Sequence, residues 1–342
     1  MVKSIRTICT LFVSLALLSA VPAVGQAASL KDPVVLKIAA QAPGLSFYSY
    51  ASTLSKLLEK HGPPGSKVEA FPRGGAMSNP TTLDQGRCEL AFAQELTSMW
   101  AWNGLEDVYG TYGKHKNIRF LTPGLMSKTY FTAIARRDYV EKTGQDTLEK
   151  MLLAKDPPRF IMKPQGSMAI PLFKGYVASV GKNFDDLKKA GKVLQVPQSQ
   201  FSEMLRDSRA DVYIDNVPLG HPGVTEILMT NDLVWVNLPE KMLTYMAENL
   251  DAVPTKMPKG GYQGVAEDWP TTGDGQNLII HKDVPDDVAY FLAKLLVEKS
   301  DVFVEENGSL KGWDPTTMHE TLQRAMPVHP GAAQYYKERG WM

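Results

Sequence analysis

Three loops in this sequence combine glycine with hydrogen-bonding side chains. They read Gln41-Ala42-Pro43-Gly44-Leu45-Ser46-Phe47-Tyr48, Arg73-Gly74-Gly75-Ala76-Met77-Ser78-Asn79 and Lys163-Pro164-Gln165-Gly166-Ser167-Met168-Ala169. Each follows a short apolar run and precedes a stretch with helical character. Glycine lets a backbone approach a ligand closely, while Ser and Asn add donors. A loop that opens a helix presents unsatisfied N–H groups at the positive end of the helix dipole, which favours a carboxylate or a phosphate. Three such loops at the ends of separate parallel strands suit one anion site, because ligands of open α/β sheets bind beyond the carboxyl ends of strands. Phe47, Tyr48, Tyr50 and Tyr262 are aromatics placed to wall that site. Trp100 and Trp102 either join the wall or pack one helix, and Arg73 either supplies a charged donor or points into solvent. The sequence leaves both choices open.

Catalytic patterns are missing. The sequence has no G-x-S-x-G nucleophile elbow, no H-E-x-x-H zinc helix and no Walker loop. Its histidines, His61, His115, His221, His281, His319 and His329, show no ligand spacing. Asp84, Glu89, Glu95, Asp211 and Asp215 are candidates for an acid pair, but nothing in their spacing brings two together. The reading is therefore a non-enzyme, with no metal and no cofactor.

The elements that must position these loops follow an α/β pattern of short apolar runs alternating with amphipathic stretches. Expected strands are 34–40, 67–71, 90–93, 118–121, 130–135, 159–162, 192–196, 212–214, 233–236 and 277–280. Most are apolar on both faces, as buried parallel strands are. Tyr50, Leu54, Leu57 and Leu58 share one helical face, and His61-Gly62 supplies a stop. Val288, Phe291, Leu292, Leu295 and Leu296 repeat the pattern. Pro and Gly clusters at 61–65 and 253–264 read as loops. No long linker separates the two domains that 342 residues suggest, so the chain is expected to cross between lobes more than once.

Residues 1–27 have the layout of a secretory signal peptide: Lys3 and Arg6, an apolar run from Ile8 to Leu18, then small residues around Gly25-Gln26-Ala27. That run is shorter than the about 20 apolar residues a membrane span needs. The whole chain carries 37 basic and 37 acidic residues; losing Lys3 and Arg6 leaves 35 against 37, a formal charge of −2. Near neutrality removes the electrostatic reason to expect a nucleic-acid partner. Removal of Cys9 leaves Cys88 as a lone thiol, expected to be buried beside Leu90-Ala91-Phe92-Ala93.

Taken together, these marks resemble the TAXI family, the extracytoplasmic solute-binding subunits of TRAP (tripartite ATP-independent periplasmic) transporters, from about residue 34 to the C-terminus. The resemblance rests on Pro43-Gly44-Leu45-Ser46-Phe47-Tyr48, Gly74-Gly75 with Asn79, Gln85-Gly86 leading into Leu90-Ala91-Phe92-Ala93-Gln94, Asn103-Gly104, Gly166-Ser167, Ala210-Asp211-Val212-Tyr213 and Gly261-Tyr262-Gln263-Gly264. Its most specific piece is the ending His329-Pro330-Gly331-Ala332-Ala333-Gln334-Tyr335-Tyr336-Lys337-Glu338-Arg339-Gly340.

The resemblance implies a two-lobed type II periplasmic-binding-protein fold of class α/β with the ligand in the interlobe cleft. Lobe 1 would take 28–128 and 272–342, and lobe 2 would take 129–271. It implies a monomeric periplasmic protein that binds a small organic acid and delivers it to a TRAP membrane permease. The family's ligands are mostly small carboxylates such as acidic amino acids and oxo-dicarboxylates. The residues it puts at the ligand are Gly44, Leu45, Ser46, Phe47, Tyr48, Gly75, Asn79, Gln94, Gly166, Ser167 and Met168, with Asp215 and Tyr262 as weaker candidates. Three departures, Leu45, Ala76 and Met168-Ala169, replace small or hydroxyl-bearing positions, which suggests fewer hydroxyl donors and a more apolar acid or a monocarboxylate. A periplasmic enzyme of the same fold and a sensory binding protein for a membrane receptor are the alternatives.

Overall fold

The computed structural model describes residues 30–342, apart from 44–45, 72–73, 106–112, 165, 312 and 321–325. The expected signal peptide at 1–27, with Cys9, lies outside the described residues, as do Gly44, Leu45 and Arg73. Among the described residues ten strands form one sheet: β1 (Val35–Ala39), β2 (Lys67–Phe71), β3 (Leu90–Gln94), β4 (Ile118–Arg136), β5 (Phe160–Met162), β6 (Val193–Gln195), β7 (Val212–Pro218), β8 (Leu233–Trp235), β9 (Val253–Met257) and β10 (Trp269–His281). Their order is β2-β1-β3-β10-β4-β7-β5-β6, with β8 on β4 and β9 on β10.

One arrangement occurs twice within this sheet. In the first half β1 pairs in parallel with β2 and β3, and β10 runs antiparallel between β3 and β4. In the second half β5 pairs in parallel with β6 and β7, and β4 runs antiparallel between β7 and β8. β4 and β10 belong to both halves, so the chain builds two lobes on one pair of long strands.

Those long strands differ from the sequence expectation. The runs at 118–121 and 130–135 are one strand, because Pro123-Gly124 bends β4 without ending it. Gly124 takes φ 63°, and the pairing of β4 with β10 absorbs the bend through register shifts. Expected only at 277–280, β10 begins at Trp269, since Gly273, Asp274, Gly275 and Gln276 hide it from an apolar pattern. The segment 253–257, read as a loop because of Pro254, is strand β9. Among the described residues it pairs only with β10, and an edge strand tolerates proline.

Of two apolar clusters, one is confined to the first half and the other runs from the second half into the first. Helix α1 (Ser46–His61) buries Tyr50, Leu54, Leu57 and Leu58, the face its spacing dictates. Around Tyr50 the rings of Phe47, Phe92 and Phe303 lie at 6.1, 5.4 and 6.0 Å. In the second half Phe131 packs on Tyr176 at 4.3 Å and Phe160 on Phe173 at 4.8 Å. Cys88 is buried, and burial pushes its thiol up to about 11. No helix among the described residues is long and apolar enough to cross a membrane.

The C-terminal signature is explained by packing. Phe120 and the segment 327–329 exchange backbone bonds, with Phe120 N donating to Pro327 O at 3.0 Å and His329 N donating to Phe120 O at 2.9 Å. Helix Pro330–Glu338 follows; the Gly331 N–H donates to His329 Nδ1 at 3.3 Å, so the imidazole caps it. A Cβ on Gly331 would lie 1.9 Å from the Asp286 carbonyl, which only glycine avoids. Tyr336 then donates to Leu121 O at 2.5 Å and is fully buried. Burying such a ring stabilises by roughly 1.5–3 kcal/mol.

His329 makes the fold pH-sensitive. It is wholly buried, accepts from Gly331 N, and is held below its ordinary value by burial. The unfolded imidazole titrates near about 6.5. The neutral cap therefore stabilises fully above that pH, and its contribution is lost as pH falls towards the lower folded value. His329→Asn keeps a capping oxygen without a titrating ring. Urea midpoints should fall more steeply between pH 7 and pH 5 in the wild-type protein than in this variant; parallel losses would reject the assignment.

Candidate functional site

Because β1, β2 and β3 run the same way, their carboxyl ends gather at one edge of the first half. The ends of β5, β6 and β7 do so in the second half. The middles of β4 and β10 lie between these edges, and the site is built from these three parts.

On the first edge the loop after β2 is shaped by one buried amide. Asn79 opens helix α2 (Asn79–Asp84) and is fully buried. Its Oδ1 accepts from Gly75 N at 2.9 Å, and its Nδ2 donates to Ala40 O at 3.0 Å, Phe92 O at 2.7 Å and Ala39 O at 3.3 Å. One side chain thus ties the ends of β1 and β3 to the glycine loop. Gly74, at φ 124°, passes so close that a Cβ there would sit 2.3 Å from Asn79 Oδ1. Gly75 is different: a Cβ would meet nothing within 4 Å, so this residue borders open space.

The helix after β1 starts with Ser46 exposed, Tyr48 half-buried and Phe47 turned inward at 1 % exposure. Phe47 packs against Phe92 and Tyr50, so its side chain supports the loop from beneath instead of lining an opening. Its N–H donates to Gln41 Oε1 at 3.3 Å.

At the end of β3, Gln94 is buried, and with its amide assigned so that the nitrogen faces the acceptors around it, that nitrogen donates to Gly275 O, 2.6 Å, and Asp274 Oδ2, 3.3 Å. Helix α3 (Glu95–Asn103) begins at once, without a cap of its own. Asp274 on β10 supplies it: Leu96 N donates to Asp274 Oδ1 at 3.1 Å. Glu95 is also buried, with its Oε2 2.8 Å from where a Gly275 Cβ would stand. The middle of β10 and the end of β3 are thereby locked together.

The second edge carries the site's charge. Lys163, at the end of β5, holds its ammonium 2.9 Å from Asp215 Oδ2 while staying about a quarter exposed, at 26 %. Asp215 is 1 % exposed. Tyr213 OH donates to its Oδ2 at 2.6 Å, and Asn216 N donates to its Oδ1 at 2.8 Å. Burial and the Asp215 charge push the Tyr213 phenol well above its ordinary value. Beside this cluster burial first, and then Lys163, hold His221 below its usual range. Asp215 is thus a buried counter-ion that holds the Lys163 ammonium at the end of β5.

Next to Lys163, Gly166 takes φ 99° and borders open space. Ser167 is partly exposed, and its Oγ accepts from Ala169 N at 3.3 Å at the start of helix Ala169–Ala178. Met168 is 5 % exposed and packs into the core. Tyr262 has its hydroxyl committed, donating to Pro218 O at 2.6 Å and accepting from His221 N at 2.8 Å. Burial pushes it up to about 12. It clasps the end of β7.

Of the residues expected from sequence, the structure therefore places Ser46, Tyr48, Gly75, Gly166 and Ser167 at accessible strand ends and Gln94 at the floor. It turns Phe47, Asn79, Met168 and Tyr262 inward as supports, and makes Asp215 the partner of Lys163. Trp100 is fully buried and donates to Leu250 O at 2.7 Å; Trp102 lies under Lys116, whose ammonium is 3.8 Å from the ring centre. Both pack the structure. The acid candidates disperse, with Asp84 on His115, Glu89 on Lys37 N and Asp211 on Arg159. Sequence reasoning did not single out Lys163 or Asp274. Lys163 had a signal, being a cation directly after an expected strand in a glycine loop; Asp274 had none.

Comparison with known proteins gives a family and a fold. The NMT1-like family matches residues 38–340. A Xanthomonas citri protein solved bound to ATP is similar at 11% identity and a TM-score of 0.50, covering 90% of this chain and 99% of its own. A TctC solute-binding protein from Polaromonas is similar at 14% identity and 0.47, covering 91% and 98%. The aliphatic sulphonate binding protein SsuA of Escherichia coli follows at 12% and 0.43, covering 90% and 88%. At such identities the likeness concerns the fold alone, and the expected two-lobed α/β periplasmic-binding-protein fold is the one observed.

Asn79 offers a direct check on the first edge. Asn79→Ala strands the Gly75 N–H and the carbonyls of Ala39, Ala40 and Phe92 in a buried place. The cost should be about 1–3 kcal/mol of stability, read from denaturant midpoints. A loss below about 0.5 kcal/mol, within the range of ordinary surface substitutions, would sink the assignment.

Proposed function

The chain belongs to the NMT1-like family, and from that premise we propose that it is a periplasmic solute-binding protein. It captures one small organic anion between two lobes and hands it to a membrane permease. The proposed lobes are 28–128 with 272–342, and 129–271. The observation that carries the reading is Lys163, a cation at a strand end whose side chain stays partly exposed while its ammonium is held by the buried Asp215. A buried carboxylate that merely needed a partner would be served by a fully enclosed one. An ammonium has three donors, so the bond to Asp215 leaves others for a second anion.

The remaining chemistry supports the same ligand class. Ser167 shares the loop of Lys163, and helix Ala169–Ala178 starts just after it with the end of its dipole that favours negative charge. Across the cleft, Ser46, Tyr48 and Gly75 are the contacts we propose, with Gly44 and Leu45 added from the sequence. Gln94 completes the floor. Phe47 and Asn79 hold those loops in place, and Met168 and Tyr262 do so on the second edge. Lys163 suits one carboxylate, so the proposed ligand is a monocarboxylate. Closure would be a hinge motion in β4 and β10, with the ligand favouring the closed state by touching both edges at once. A TRAP permease as the recipient follows from the TAXI marks in the sequence.

The test is a thermal-shift and calorimetry panel of small acids. A bound acid should raise Tm by mass action. Lys163→Gln should weaken binding by about 10- to 150-fold, the range of one charge-assisted bond worth ~1.5–3 kcal/mol. Circular dichroism of the variant would show that the fold persists. Unchanged affinity in a folded variant would refute the anchor.

A further inference from the structure

The cleft described above has a donor wall and an acceptor floor. The wall is Lys163 and Ser167, whose Oγ accepts from Ala169 N and keeps its own hydrogen to donate. The floor, where β10 and β4 pass between the lobes, is built from groups that accept. Asp274 and Glu95 are 4 % and 6 % exposed. Gln276, also 6 % exposed, stands on the same floor, in register with Gln94 of β3. Its Oε1 is buried and has no hydrogen-bond partner. Asn216, at the end of β7, repeats this situation: its Oδ1 is buried and without a partner.

The orientation of Asn216 is fixed by a chain of bonds. Thr129 Oγ1 donates its one hydrogen to Asp274 O at 3.1 Å, so it can only accept from Asn216 Nδ2, 3.0 Å away. The amide oxygen of Asn216 must then be the atom left over. Buried acceptors without donors are rare, because each forfeits its bonds to water without replacement. Two of them beside the mouth of one cleft mark where a donor is brought in from outside.

Resting on the organic-anion reading, we infer that the ligand carries a hydrogen-bond donor, a hydroxyl or an ammonium, on the same skeleton as its carboxylate. The carboxylate meets Lys163 and the Ser167 hydroxyl; the donor meets the Gln276 and Asn216 side of the floor. Simple acids and oxo acids leave those acceptors bare. A second carboxylate would face Asp274 and Glu95 and be rejected by charge.

Calorimetry on the mature protein, with matched sets of four- and six-carbon straight-chain acids, tests this. Each set contains the parent acid and its oxo, hydroxy and amino derivatives. The hydroxy or amino member should bind about tenfold or more tightly than the parent and the oxo acid, since unpaired polar groups discriminate strongly. Which of the two wins tells a hydroxyl from an ammonium. Gln276→Met should cut that preference to about threefold or less, and Gln276→Glu, which keeps an acceptor, should retain it. Acids that bind without preference, or a preference for the oxo acid, overturn the inference and leave the anion reading standing. Binding by no acid in either set overturns both.

Discussion

The pairing of β4 with β10 is the constraint on which the rest of the structure depends. These two strands hold both lobes, and their middles set the register of everything between. Asp274 lies opposite Thr129, Gln276 opposite Gln94, and Thr129 opposite Pro218. One ladder thereby brings the ends of β3 and β7, far apart in the chain, to a common floor. A slip of one residue would reverse every side chain on these strands, so the bonds from Leu96 N to Asp274 and from Asn216 to Thr129 also guard the register. Stability and recognition are met here by the same groups.

From that floor the two edges differ in how they make polarity. The first edge uses backbone: Asn79 spends its whole amide on carbonyls and one N–H, and glycine makes the close approach possible at Gly74. The second edge uses charge. Asp215 is nearly inaccessible and gathers Tyr213, the Asn216 N–H and Lys163 about it. Taking that carboxylate out of water is costly, and partial exposure of Lys163 limits the cost by leaving one partner hydrated. The arrangement has a functional side too: an ammonium fixed by a buried counter-ion is already oriented when a ligand arrives, so less freedom is lost on binding.

Local pattern made much of the fold legible. The parallel strands read correctly because they are short and apolar on both faces, and α1 because Tyr50, Leu54, Leu57 and Leu58 mark one face. β10 was the hard case. Its first half, Thr271 to Gln276, is polar and interrupted by glycine, and a hydrophobic pattern cannot report such a strand. Pro123-Gly124 concealed β4 in the same way. The glycine loops were legible as loops, and their positions at strand ends followed from the α/β pattern. Which side chains face inward was not. Phe47 and Met168 stand in the loops beside Ser46 and Ser167, and only packing separates a wall from a support.

That distinction changes what the sequence departures mean. Ala76 and Met168 stand where the resemblance leads one to expect small or hydroxyl-bearing residues, which suggests an apolar wall. Both side chains are buried, at 6 % and 5 % exposure, and pack into the two cores. They remove hydroxyl donors from the loops without adding apolar surface to the opening. The polarity of the cleft is then decided by residues distant in sequence: Lys163 with Asp215 on one side, Gln94 with Asp274 and Gln276 on the other. Loop composition alone points to a less polar ligand. The floor argues for a ligand that is polar at both ends, and only the tertiary pairing of β3, β4, β7 and β10 brings that second end into view.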